Sequence, residues 1–302
     1  MNTPNPQPTF FNWFSIIALG LIWGATFVVV AIALEGYGPL TVACPRVTLG
    51  ALALLALMRI LRRPLPDLTP RLIKYLFAIG LLNSAVPFAL LSWGQQFVPS
   101  AFAGISMASV ALFILPLAHV FSDEPLTVRD SMGVVLGFMG AAVLIGPGVL
   151  KIGTGMEPLG QLACLGAAIS YAISSIMTRR CPPIDPVVLA TAVLVVGAII
   201  LIPAMLVFEG QPVLAEMRPT IAIIILGLIP TGLAAWLRVA TIRSAGSVFM
   251  APVGFQVPIW SMVFGALVLN EDLPWRFFAA LAFILTGLAI SQWANLRRTF
   301  RF

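Results

Sequence analysis

The sequence predicts an all-α integral membrane protein with about ten transmembrane helices, arranged as two inverted five-helix repeats. Apolar runs of about 20 residues recur along the whole chain, and a helix of that length spans a bilayer. Charged residues make up only 9% of the 302 residues, whereas soluble domains carry about 25%. Polar residues and glycines of the first half recur 147 positions later, which indicates a duplication.

The composition excludes most soluble functions. Hydrophobic residues account for 60% of the chain, and a water-soluble fold could not bury that much apolar surface. The net charge of +6 lies between the apolar runs, so it is typical of membrane topology rather than of nucleic-acid binding. Three scattered cysteines (Cys44, Cys164 and Cys181) and a single histidine, His119, form no metal-binding motif. We therefore expect no metal, no cofactor and no nucleic-acid partner.

The apolar runs predict ten helices separated by turn residues. Their predicted bounds are 12–34, 39–61, 75–94, 100–121, 129–148, 159–178, 186–208, 219–241, 247–269 and 275–295. Each run is continuously apolar, whereas the strands of a membrane barrel alternate polar and apolar residues. Small residues four apart predict close helix contacts, at Gly20/Gly24, Gly133/Gly137 and Gly166/Ser170.

The distribution of Lys and Arg predicts the orientation. If the N-terminus is cytoplasmic, the cytoplasmic segments hold Arg59, Arg62, Arg63, Arg71, Lys74, Arg129, Arg179, Arg180, Arg243, Arg297, Arg298 and Arg301. The outer segments then hold only Lys151, Arg218 and Arg276. Because cytoplasmic loops carry the excess of basic residues, both termini are expected in the cytoplasm.

A shift of 147 residues aligns the two halves. The matched pairs include Pro39 with Pro186, Gly80 with Gly227, Ser100 with Ser247, Glu124 with Glu271, and Gly140 with Gly287. Five helices is an odd number, so the second half must enter the membrane from the opposite side, as in many secondary transporters. We expect a cytoplasmic tail at 1–11, repeats at 12–150 and 151–296, and a basic cytoplasmic tail at 297–302.

Several motifs stand at equivalent or characteristic places. They are Leu21-Ile22-Trp23-Gly24 in the first helix, Pro39 and Arg46 in the second, Pro258 in the ninth, and Glu271, Leu273 and Gly287 around the tenth. Together these residues resemble the EamA-type transporters of the drug/metabolite transporter superfamily, across nearly the whole chain. The first half departs from the pattern, because Ala111 stands where the second half has Pro258.

The resemblance implies a ten-helix transporter of the bacterial cytoplasmic membrane. It further implies outward movement of amino acids, related metabolites or drugs, along a pathway lined by helices 1, 3, 4, 6, 8 and 9. The chain is most similar to bacterial exporters of aromatic amino acids. Neutral amino acids, aromatic ones among them, are therefore the expected cargo.

Arg46 is the most conspicuous polar residue within a span. It lies seven residues after Pro39, about 10 Å into its helix. A charged side chain at such depth faces a cavity or a partner. Arg46 therefore either receives a substrate carboxylate or has a structural role, pairing with helix-end carbonyls or reaching the outer interface.

Other candidate residues are less distinctive. Asn83, Ser84 and Gln256 are polar groups that need partners within the membrane, and Pro87 frees a backbone carbonyl. Trp23, Tyr171, Trp236 and Trp260 lie well inside their spans. These aromatic faces would suit a flat apolar substrate, but core packing or lipid contact explains each of them as well.

No Asp or Glu lies deep within a predicted span. Membrane proton relays rely on such acids, so we expect facilitated diffusion or exchange by alternating access. Two alternatives stay open: a proton-coupled drug or metabolite exporter, and a sugar-phosphate or nucleotide-sugar carrier. The latter should carry several deep cations, and only Arg46 is one.

Functions of other classes are less favoured. An intramembrane enzyme would need a nucleophile, an acid/base pair or a metal cluster at membrane depth, and none is visible. A non-transporting assembly or receptor subunit would differ by lacking transport activity. The expected partners are a small-molecule substrate and the lipid bilayer, and the oligomeric state is left open, with a monomer compatible with the sequence.

Overall fold

The computed structural model describes residues 9–122, 127–146, 155–246 and 248–300, and every regular element among them is helical. The helices are α1 Phe10–Leu34, α2 Pro39–Ile60, α3 Pro70–Gly94, α4 Ser100–Ser122, α5 Val128–Ile145, α6 Glu157–Arg180, α7 Pro186–Phe208, α8 Met217–Ala245, α9 Ala251–Leu269, α10 Trp275–Ser291 and α11 Trp293–Phe300. In these described residues, α1–α9 have the length and hydropathy to cross a membrane, and α10 is a shorter apolar helix. The predicted all-α membrane fold is confirmed.

Several helix boundaries differ from the predicted ones, and among them α8 ends at Ala245 and α9 begins at Ala251, each four residues late. Helix α3 begins at Pro70, five residues early, because the Thr69 hydroxyl accepts a hydrogen bond from the amide of Leu72 at 3.2 Å. Helix α10 ends at Ser291, since Gln292 leaves helical geometry, and the short α11 follows. An apolar pattern does not record either event. The predictions for residues 1–8, Glu124, Lys151 and Ser247 lie outside the described residues.

The helix pairs follow a pseudo-twofold arrangement. Helix α1 packs against α8 and α9, and its counterpart α6 packs against α3 and α4. The pairs α2–α7, α4–α9 and α5–α10 join counterparts across the two halves. The same relation holds at single residues: Gly80 abuts Val196 and the carbonyl of Val193, while Gly227 abuts Leu49 and the carbonyl of Arg46.

Contacts at the two ends of the bundle show that the halves are inverted. At one end, Asn12 at the start of α1 donates to Ser244 at the end of α8. At the other end, Glu157 at the start of α6 lies 3.7 Å from Arg276. The first helices of the two halves therefore start at opposite ends. We call the end that holds Asn12 the basic end, because the predicted cytoplasmic Lys and Arg residues within the described ranges lie at or next to helix ends there.

The predicted small-residue contacts are present. Gly24 in α1 lies against α9, where an added Cβ would come within 2.4 Å of the Trp260 Cβ. Gly133 in α5 meets the carbonyl of Gly287 in α10 in the same way. Gly166 is looser, but Ser170 in the same helix donates to the carbonyl of Leu82 at 2.7 Å.

The apolar core divides into two main clusters. One surrounds Phe102 of α4 and Ile284 of α10, and the other surrounds Val47 of α2 and Leu201 of α7. Tyr171 of α6 packs against both clusters. The polar groups described next lie around this junction.

Candidate functional site

Each half contains one π-helical turn at an equivalent position, residues 81–85 in α3 and 227–233 in α8. Such turns widen the helix and leave carbonyls without their usual partners. The carbonyl of Leu82 accepts a hydrogen bond from Ser170, and that of Pro230 accepts one from Trp23 Nε1 at 3.2 Å. Trp23 and Ser170 are themselves 147 residues apart. The first helix of each half therefore supports the widened turn of a neighbouring helix.

Arg46 lies against the widened turn of α8. It is only 7% exposed, and its Nε donates to the Thr231 hydroxyl at 3.2 Å. Thr231 in turn donates to the carbonyl of Leu226 at 2.8 Å. The guanidinium carbon lies 4.0 Å from the centroid of the Phe88 ring. Within the described part of the chain, no carboxylate pairs with Arg46, and Nε is its one nitrogen that donates a side-chain hydrogen bond.

Tyr171 completes this group. Its ring meets that of Phe88 edge to face, with centroids 6.4 Å apart, and its hydroxyl has no hydrogen-bond partner among the residues described. We call Arg46, Phe88, Tyr171 and Thr231 the Arg46 cluster. Its residues come from α2, α3, α6 and α8, and therefore from both halves of the chain. A guanidinium binds a carboxylate through charge-assisted hydrogen bonds, and aromatic faces bind an apolar ring.

The cluster has no counterpart in the other half of the bundle. The position equivalent to Arg46 is Val193, and the position equivalent to Thr231 is Ser84. Ser84 is fully buried against Gly197, and its hydroxyl has no partner within the described residues. The structure thus places Ser84 in a helix contact rather than in the cluster.

The other predicted polar residues lie at helix contacts. Asn83 accepts a hydrogen bond from Ser174 of α6 at 3.0 Å, and Pro87 is buried just after the π-helical turn. Gln256 lies against Gly20 at the contact of α9 with α1, and its amide donates to the carbonyl of Pro252 at 3.4 Å.

The predicted aromatic residues divide into two groups. Trp23 joins α1 to α8, and Trp260 contacts Gly24 and stacks on Phe264 with centroids 5.8 Å apart. Trp236, by contrast, is 37% exposed and is not brought to the Arg46 cluster. Its exposed position favours contact with lipid.

Sequence reasoning missed Phe88 and Thr231. A phenylalanine inside an apolar run gives no signal, because nothing local distinguishes a ring beneath a cation from one in the core. Thr231 had a usable signal: the 147-residue shift pairs it with Ser84, which makes it a second hydroxyl at the same helix depth.

Glu271, one of the motif residues, has a structural role at the end opposite the basic end. Its carboxylate accepts hydrogen bonds from the amides of Ser100 at 2.6 Å and Ala101 at 3.1 Å. These are first-turn amides of α4, which have no partner within the helix. A negative charge there also interacts favourably with the helix dipole. Glu209 binds the first turn of α2 similarly, through Leu40 and Thr41.

Replacing Glu271 by alanine is expected to lower the free energy of unfolding by about 0.5–2 kcal/mol, because two helix-start amides lose their acceptor. Thermal unfolding of the purified protein in detergent measures the change. The neighbouring Asp272 is exposed and supplies the matched control, Asp272→Asn, which should unfold like the wild type. Equal stability of Glu271→Ala and Asp272→Asn would contradict the capping role.

In the described chain, no three His, Cys, Asp or Glu side chains gather closely enough to hold a metal ion. The described residues of the Arg46 cluster likewise include no acidic side chain.

Comparison with known proteins gives a consistent picture. The model of the EamA-like transporter family matches residues 12–146 and again residues 158–292. The uncharacterized transporter YoaV of Bacillus subtilis is 26% identical over 287 residues, covering 94% of this chain and 97% of the relative. The uncharacterized inner membrane transporter YedA of Escherichia coli (strain K12) is 27% identical, covering 91% and 89%.

Two further matches extend this picture. A protein of Salmonella typhimurium named as a probable amino-acid metabolite efflux pump is 25% identical, covering 95% of this chain and 97% of the relative. A solved crystal structure superposes with a TM-score of 0.66 at 19% identity, covering 94% of this chain and 99% of the other. At that identity the superposition is evidence of a shared fold alone.

Proposed function

Since this chain belongs to the EamA-like transporter family and is a membrane transporter, we propose that it exports neutral amino acids, aromatic ones among them, and related metabolites. The observation that carries the proposal is the Arg46 cluster. A buried arginine without a carboxylate partner among the described residues lies over the ring of Phe88, which meets the ring of Tyr171 edge to face. A substrate carboxylate would supply the missing counter-charge, and its side chain would contact the rings.

The relatives support the amino-acid class. One of them is named as a probable amino-acid metabolite efflux pump. A phosphorylated substrate such as a sugar phosphate would need more positive charge, and the Arg46 cluster contains a single arginine. The Arg46 cluster therefore favours a singly charged carboxylate.

We place the protein in the bacterial inner membrane with its basic end and both termini in the cytoplasm. The excess of Lys and Arg at that end supports this orientation, and a relative is named as an inner membrane transporter. The pathway runs between the halves, past α1, α3, α4, α6, α8 and α9. Rocking of the two halves about the Arg46 cluster would expose it to each side in turn.

Transport is proposed to be facilitated diffusion or exchange, because Asp and Glu occur only at or beyond the helix ends in this sequence. The decisive experiment uses proteoliposomes loaded with a panel of labelled L-phenylalanine, L-leucine and a sugar phosphate. Efflux of the amino acids alone, at a rate independent of an imposed pH gradient, is expected. Accumulation driven by the pH gradient would show proton coupling instead, and movement of the sugar phosphate alone would overturn the substrate class.

Replacing Trp23 by alanine is expected to reduce L-phenylalanine efflux several-fold, because the Pro230 carbonyl beside the Arg46 cluster loses its donor. The matched control is Trp275→Ala, since Trp275 is 78% exposed at the start of α10. The effects of both substitutions are measured as L-phenylalanine efflux from proteoliposomes with equal protein content. Equal efflux rates for the two variants would argue against a role for Trp23 at the site.

A further inference from the structure

A groove of about 590 Å³ lies on the outside of the bundle, between α3, α4 and α6 at the basic end. Its floor is formed by Ile173, Ile176 and Met177 of α6. Leu117 and Phe121 of α4 form one wall, and the first two turns of α3 form the other. The groove is separate from the Arg46 cluster.

The helical register of α6 places this groove on the face of the helix that points away from the Arg46 cluster. Ile173 and Met177 continue a stripe that includes Leu162, 44% exposed, and Ile169, 40% exposed. Side chains seven and four residues apart share one helix face. Tyr171, which contacts the Arg46 cluster, points about 160° away from that stripe by the same geometry. The groove therefore lies on the opposite face of α6 from the Arg46 cluster, and that is the face we expect to meet lipid.

The rim of the groove is cationic. Lys74 of α3 and Arg180 at the end of α6 line it, together with Tyr75. Lys74 and Arg180 are exposed, and neither has a carboxylate within ion-pair distance in the described ranges. Arg180 is the last residue of α6 and Lys74 lies in the second turn of α3, so both are near the ends of their spans, where lipid headgroups lie.

We propose that the groove binds one anionic phospholipid of the adjacent leaflet. Its phosphate lies between Lys74 and Arg180, and the Tyr75 hydroxyl is placed to donate to a headgroup oxygen. An acyl chain covers Leu117 and Ile173. The proposal commits to a lipid because the charge is confined to the rim and the walls are apolar, a combination that fits an anionic head attached to a long chain. It concerns a surface outside the transport pathway and does not depend on the identity of the substrate.

The test uses the full-length protein in nanodiscs containing equal amounts of dioleoyl phosphatidylglycerol and dioleoyl phosphatidylcholine. Native mass spectrometry after gentle release is expected to show one retained phosphatidylglycerol. The double variant Lys74→Gln/Arg180→Gln should retain it on the order of tenfold less. The control Arg59→Gln/Arg62→Gln removes the same charge from exposed residues at the same end that do not line the groove, and it should retain the lipid.

A second variant, Ile173→Trp, fills the floor at constant charge and should also lose the lipid, while monodisperse elution shows that it folds. Undiminished retention in either groove variant would overturn the proposal. Displacement of the lipid by millimolar glycerol 3-phosphate would show a soluble phosphate site instead. Displacement by L-phenylalanine would show a substrate vestibule, and either result would likewise overturn the assignment.

Discussion

Replacing Arg46 by glutamine is expected to reduce efflux of L-phenylalanine from proteoliposomes by about tenfold to a hundredfold. Hydrogen bonds to a charged group contribute about 1.5–3 kcal/mol, which corresponds to that range of rates. Glutamine retains a donor for Thr231 but loses the charge that lies over Phe88 and that meets a substrate carboxylate. The efflux rate of Arg46→Lys should lie between those of the wild type and Arg46→Gln, because a lysine keeps the charge without the planar donor array.

The carboxylate can be tested directly by competition. L-Phenylalanine added outside should compete with labelled L-phenylalanine in the wild type, whereas L-phenylalaninol, which lacks the carboxylate, should compete weakly. In Arg46→Gln this difference should disappear. Arg238→Gln is the control, since Arg238 is an exposed arginine within α8. Wild-type efflux in Arg46→Gln together with reduced thermal stability would assign Arg46 a purely structural role and would remove the main support for the proposed substrate.

Replacing Gly24 by leucine is expected to separate α1 from α9 and to lower the free energy of unfolding by about 1–3 kcal/mol. Any side chain here starts with a Cβ 2.4 Å from the Trp260 Cβ and 3.2 Å from the Val257 carbonyl oxygen. Neither neighbour is the free end of a flexible chain, so the helices themselves must move apart. Thermal unfolding in detergent and the yield of monodisperse protein measure the effect.

Gly254→Leu supplies the matched control for this substitution. Gly254 lies in α9, the helix that Gly24 packs against, but an added Cβ there meets nothing within 4 Å. The control should therefore lose only the small helix-propensity difference, in the stabilising direction. If Gly24→Leu unfolds at the same temperature as Gly254→Leu, the close approach of α1 and α9 is not important for stability.

Much of the architecture could be predicted from the sequence because the bilayer imposes a length and a polarity on every span. The ten apolar runs, the spacing of Gly20 and Gly24, and the inverted duplication all follow from patterns that extend over many residues. The end of α10 at Ser291 was not predicted, because a second helix, α11, follows after the single residue Gln292. Glu271 is a related case: its acceptor role depends on the start of α4, which is distant in sequence.

The candidate site was only partly predictable for the same reason. Arg46 could be found because a charge is conspicuous among apolar residues. Its neighbours could not, because a cation over Phe88 and a hydrogen bond to Thr231 arise from the packing of three separate helices. Trp236 shows another limit, since depth along a helix does not say which face of the helix a ring occupies.

Arg46 in the first half corresponds to Val193 in the second, and this difference affects the relative free energies of the two transporter conformations. A carrier with identical halves would be degenerate, with equal free energy whether open to the inside or to the outside, because rotation about the twofold axis exchanges the two shapes. One guanidinium on one side of that axis removes the degeneracy. We expect the unloaded protein to have a preferred resting orientation, and half-saturating substrate concentrations to differ between the two faces of the membrane.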